Sequence, residues 1–65
     1  MKLKEFKNTM VWKDADCVEY VDEDGVEVEP TTEVKRRKMN NMEVIKHEIK
    51  IINELSILKV VLNKR

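Results

Sequence analysis

Glu33-Val34-Lys35-Arg36-Arg37-Lys38-Met39-Asn40-Asn41-Met42-Glu43-Val44-Ile45-Lys46-His47-Glu48-Ile49-Lys50-Ile51-Ile52-Asn53-Glu54-Leu55-Ser56-Ile57-Leu58-Lys59-Val60-Val61-Leu62-Asn63-Lys64-Arg65 makes up half of the chain. Its reading decides the fold. Pro30-Thr31-Thr32-Glu33 is a helix start: a Thr hydroxyl caps the first free amides, and Glu33 sits against the positive end of the helix dipole. No Gly or Pro follows, and Lys64 and Arg65 suit the negative end.

The apolar spacing argues for a single amphipathic helix. At about 100° per residue, Val34, Met42, Ile45, Ile49 and Ile52 fall within about 80° of one another, and Val44, Ile51, Leu55, Leu58 and Leu62 form a flanking stripe. Arg36, Glu43, Lys46, His47, Lys50 and Glu54 take the opposite side. Two features pull against continuity. Asn40-Asn41 is poor helix material and marks a kink or a fray. Leu55 to Leu62 is apolar nearly all round and rich in β-branched residues, a pattern shared by a buried helix end and a strand.

Upstream, Asp24-Gly25 lies between two β-rich alternating runs, Cys17 to Val21 and Val26 to Glu29, a strong hairpin signature because Gly accepts the positive φ of the turn. Thr9-Met10-Val11-Trp12 reads as a preceding strand, with Leu3 and Phe6 extending it or packing separately. Pro30 closes the last strand.

The fold expected is α+β in a single small domain. Residues 1–30 form an antiparallel hairpin or meander of two or three strands that buries Met10, Trp12, Val18, Tyr20, Val26 and Val28. Residues 31–65 form one long C-terminal amphipathic helix. Such a helix spans about 50 Å at 1.5 Å per residue, and strands of this length reach only about 17–20 Å. The sheet falls short of covering it, so the helices are expected to pack in a dimer or higher helical bundle through Met42, Ile45, Ile49, Ile52, Leu55, Leu58 and Leu62. The competing architecture ends the helix near Leu55 and returns Ile57–Leu62 as a strand on the meander's edge, giving β-β-β-α-β.

Composition bounds the function. Sixty-five residues make one marginal domain, and a chain this short buries only about 60% of its unfolded surface. The lone cysteine, Cys17, excludes an internal disulfide and reads as a buried reduced thiol. The charged N-terminal run does not resemble a signal peptide, and no stretch approaches the roughly 20 apolar residues of a membrane span, so a cytoplasmic protein is expected. Frequent Lys, Ile and Asn suit a small bacterial or phage protein.

The formal net charge of zero conceals three blocks. Residues 1–12 are basic, residues 13–33 hold nine acids against Lys13, and residues 34–65 hold nine bases against Glu43, Glu48 and Glu54. Two sites follow. Asp22, Glu23, Asp24, Glu27 and Glu29 form an acidic hairpin that reads first as a solvated, aggregation-resistant edge, and otherwise as a surface for a basic partner protein or an imitation of a phosphate backbone. Lys35, Arg36, Arg37 and Lys38 are the candidate phosphate contacts of a dimeric nucleic-acid binder, or a solvated first turn facing the acidic hairpin.

Catalysis is not expected. One His and one distant Cys do not supply a tetrahedral metal set, Cys17 has no activating context, and Gly25 is the only glycine, so no phosphate-cradling loop exists. Asp22-Glu23-Asp24 lacks the spacing of a calcium loop. No cofactor, small-molecule substrate or membrane partner is implied. The function expected is a non-catalytic regulator or inhibitor that self-associates through its C-terminal helix and shows its acidic hairpin to a basic partner.

Overall fold

A computed structural model describes residues 1–64. The order of elements is α1 (Leu3–Phe6), α2 (Met10–Lys13), β1 (Cys17–Asp22), α3 (Glu33–Asn40), β2 (Glu43–Ile52) and β3 (Leu55–Asn63). The three strands form one mixed sheet in the order β1-β3-β2, with β3 central, parallel to β1 and antiparallel to β2.

The long C-terminal helix is therefore not present, and neither is the helical bundle built on it. The helix starts where its signals put it: Thr32 is the N-cap, its hydroxyl accepting the Lys35 N–H at 3.1 Å. It stops after eight residues, at the Asn40-Asn41 step. Beyond that point, Val44, Ile45, Ile49, Ile51, Ile52, Ile57, Val60 and Val61 are β-branched. Such side chains lose χ1 freedom in a helix and pack well on a pleated surface. Asn53 and Glu54 take positive φ, 50° and 67°, and join β2 to β3 as a two-residue hairpin turn.

A bulge explains why β2 imitates a helix. The register steps from Val44↔Leu62 to Lys46↔Val61, which leaves Ile45 as the extra residue. Parity changes at that point, so Val44, His47, Ile49 and Ile51 share one face opposite Leu62, Val60, Leu58 and Ser56. An alternation broken once in this way mimics three-and-four spacing.

The competing architecture had the identity of the last strand right and its place wrong. Ile57–Leu62 lies in the middle of the sheet, not at its edge. Thr9 to Trp12 is no strand either: Thr9 caps the short α2, accepting the Trp12 N–H. After β1 the chain does reverse at Asp22 to Gly25, with Gly25 at φ 82°. Val26 to Glu29 pairs with β1 through an isolated bridge, Val21↔Glu27, in which the Val28 N–H donates to the Tyr20 carbonyl and the Asp22 N–H to the Val26 carbonyl. The meander of residues 1–30 thus reduces to one strand and a return.

All three helices lie on the same face of the sheet. Leu58, Val60 and Leu62 of β3 are fully buried there, packed with Leu3 and Phe6 of α1 and Met39 of α3. Val18 and Tyr20 of β1 and Trp12 of α2 flank them, and the Trp12 indole N–H donates to the Tyr20 hydroxyl at 3.1 Å. Phe6 lies tilted against His47 of β2, ring centres 5.3 Å apart. Met10 and Val26, expected in the core, are exposed, and so is Cys17. The opposite face carries Glu19, Lys59 and Glu48 side by side across the three strands. Opposite charges in neighbouring positions support one another there, while Val21 and Val61, further along the same face, are buried.

Candidate functional site

Burial splits the proposed self-association stripe in two. Leu58 and Leu62 are core residues, and Met42 packs half-buried beside them. Ile45, Ile49, Ile52 and Leu55 are about half exposed, and Ile51, outside the expected set, is 76% exposed. These five sit on one arm, the β2–β3 hairpin, Leu55 on β3 and the others on β2.

The outer edge of this arm is free for most of its length. The chain start covers only its first residues: the Val44 N–H donates to the Met1 carbonyl, the Leu3 N–H to the Met42 carbonyl, and Lys2 bridges Glu43. The Met1 amino group also bonds Glu43 Oε2 at 2.9 Å. From Ile45 to Ile52 no other strand lies alongside the edge among the described residues. A row of open N–H and C=O groups flanked by exposed aliphatic side chains is a template for strand addition. On the helical face the arm borders a groove of about 390 Å³ between α2 and the hairpin, lined by Met10, Val11, Asp14, Ala15, Ile49 and Ser56.

The acidic residues divide by role. Asp22 is buried, and its Oδ1 accepts the N–H groups of Asp24 and Val26, each at 2.9 Å, which makes it the structural cap of the turn. Glu23 accepts the Lys64 N–H at 2.9 Å. Asp24, Glu27 and Glu29 are exposed. Glu27 and Glu29 line a second groove, of about 290 Å³, together with Lys35, Lys38 and Lys64. The acidic return and the basic helix thus neutralise part of each other's field within one chain.

The four basic residues of α3 point in different directions, as consecutive positions on a helix must. Lys35 and Lys38 face the acidic return, and Arg37 pairs with Glu33 at 3.0 Å. Arg36 lies near Lys7, the C-cap of α1, whose Nζ donates to Asn40 Oδ1 at 2.8 Å. Partial burial, and then the charge of Arg36, hold the Lys7 pKa below the usual lysine value. Sequence reasoning missed this convergence of α1 and α3, because nothing in the spacing places Lys7 beside a residue 29 positions later.

His47 is occupied by its packing on Phe6. Among the described residues no three His, Cys, Asp or Glu side chains gather in a way that would hold a metal ion, and no helix is long and apolar enough to cross a membrane. No protein-family model matches the chain, and neither a curated protein nor a solved structure is similar to it.

Proposed function

We propose that this chain is a small, non-catalytic protein–protein interaction module that binds by accepting a strand on the open edge of β2. The observation that carries this reading is the Ile45–Ile52 edge itself, with Ile45, Ile49, Ile51 and Ile52 exposed along it. Main-chain hydrogen bonds supply affinity in such a mode, and alternate side-chain positions supply selectivity. The acidic return, with Asp24, Glu27 and Glu29 exposed, is the accessory surface for a basic partner protein. It ranks second because Lys35, Lys38 and Lys64 already lie across from Glu27 and Glu29.

A fluorescent peptide copying residues 43–52 tests the edge. It is expected to bind the wild-type chain and not Ile49→Pro, in which the edge loses a central outward N–H while the bonds to β3 remain. Equal binding to both, or a monomeric wild type that binds no peptide, refutes the reading.

One observation favours nucleic acid instead. Lys7 has its charge disfavoured by partial burial and then by nearby Arg36, and a phosphate beside the two would favour it again. This reading predicts retardation of a labelled duplex at low salt that is lost in a Lys7→Ala/Arg36→Ala double variant. Wild-type behaviour in the double variant removes it.

A further inference from the structure

We propose that the strand accepted by β2 is β2 of a second copy of this chain, laid antiparallel about a two-fold axis at Ile49. This names the occupant of the edge described above and rests on that reading. Two three-stranded sheets then join into one of six.

The register follows from the backbone and from charge. Ile52 and Leu55 are the paired residues that flank the two-residue turn. Counting back from that closing pair, the alternation of an antiparallel ladder directs the N–H and C=O of His47, Ile49 and Ile51 outward. A second β2 must match those outward residues with its own. Centring the pair on His47 draws the Ile45 bulge into the ladder. Centring it on Glu48 sets Glu48 against Glu48 and Lys46 against Lys50, and centring it on Lys50 sets Lys50 against Lys50. Like charges directly opposite are destabilising. Centring it on Ile51 runs Ile49 into Asn53 of the turn.

Only the Ile49 register avoids all of these. It sets Glu48 of each copy opposite Lys50 of the other, Ile49 against Ile49, and Ile51 against the other copy's His47, with Phe6 behind that ring. Residues 46–52 then pair with residues 52–46, which stops short of the edge occupied by Met1 and Lys2. The free length of the edge and the length of the match coincide. Self-complementarity of this kind is what an isologous two-fold contact demands, and an unrelated strand has no reason to meet it.

Sedimentation equilibrium of the full chain up to about 100 µM is the test, with far-UV circular dichroism confirming the fold of each variant. A dimer is expected. Glu48→Lys alone and Lys50→Glu alone should each weaken it about tenfold, because two symmetry-related attractive pairs become repulsive. Combining the two should restore it to within about threefold of wild type. A dimer indifferent to either single change, or unrestored by the combination, overturns the proposal. A monomeric chain that still takes up the 43–52 peptide overturns the second copy as occupant and leaves the edge standing. A monomer that binds no peptide overturns both.

Discussion

Asp16 and Ser56 hold each other from both sides. The Ser56 N–H donates to Asp16 Oδ2 at 2.8 Å and the Ser56 hydroxyl to the same oxygen at 3.2 Å. In return, the Asp16 N–H lies 3.1 Å from Ser56 Oγ and 3.0 Å from the Ser56 carbonyl oxygen. This clasp ties the entry of β1 to the start of β3 and sets the parallel register Cys17↔Ile57.

Ser56→Ala removes the hydroxyl and should cost about 1 kcal/mol, the net worth of a typical hydrogen bond. Asp16→Ala removes the acceptor of both and should cost about 1–2 kcal/mol. Urea unfolding of the three proteins measures it. The double variant should cost less than the sum, since the two residues share one contact.

Glu54 carries φ 67° with no glycine's freedom to do so. Left-handed backbone costs an ordinary residue roughly 1–2 kcal/mol, and Asn-Gly is the favoured pair for this turn. Glu54→Gly should therefore stabilise the fold by about 0.5–1 kcal/mol, visible as a higher urea midpoint at unchanged slope.

Asp22→Ala leaves the N–H groups of Asp24 and Val26 without their acceptor. A loss of about 1–3 kcal/mol is expected, whereas Asp22→Asn keeps an oxygen in place and should lose less than half as much. Comparable losses in the two variants would mean that the charge, not the acceptor, holds the turn.

Leu58 and Ile51 were one apolar pattern in the sequence and are opposites in the structure: 0% against 76% exposed. Leu58→Ala should cost about 2–5 kcal/mol, and Ile51→Ser less than about 0.5 kcal/mol in the monomer. Thermal melts at low protein concentration separate the two.

The Met1 amino group and Glu43 give the fold a pH window. Their hydrogen bond first, and their opposite charges second, raise the amine above its ordinary value and lower the Glu43 carboxyl below its own. The amine's contribution is complete below about pH 8, its unfolded value, and is lost as pH rises through the raised folded value. The carboxylate's contribution is complete above about pH 4.3 and is lost as pH falls through the lowered folded value. The difference in melting temperature between wild type and Glu43→Gln should thus be flat between these limits and shrink outside both.

What the chain revealed of itself was local. Thr32 and Glu33 mark the start of α3 and Asp24-Gly25 the reversal after β1, whereas Asn40-Asn41, which reads as a kink or a fray, is where the helix ends. The Ile45-Ile49-Ile52 spacing suits a helix, and the β-branched content around it outweighs that spacing. The Ile45 bulge hides the alternation, and Asn53, a residue that tolerates positive φ, is the turn signal between β2 and β3. The pairing of β1 with β3 was not legible at all, since parallel pairing of strands 40 positions apart leaves no short-range trace. Of the candidate surfaces, Ile45, Ile49 and Ile52 are exposed on the edge strand β2 and Leu55 at the start of β3, not along a helix.

β3 is the middle strand of the sheet and the latest of the three in chain order. A ribosome therefore releases β1 and β2 before the segment that will stand between them. Asp22 ends β1 and Asn63 ends β3, so 41 residues (63 less 22) separate the two events, a wait of about 2–8 s at ordinary synthesis rates. Throughout it β1 waits without the neighbour that β3 will give it, and from Ile52 onward the isoleucines of β2 are on offer to any neighbouring nascent chain as well.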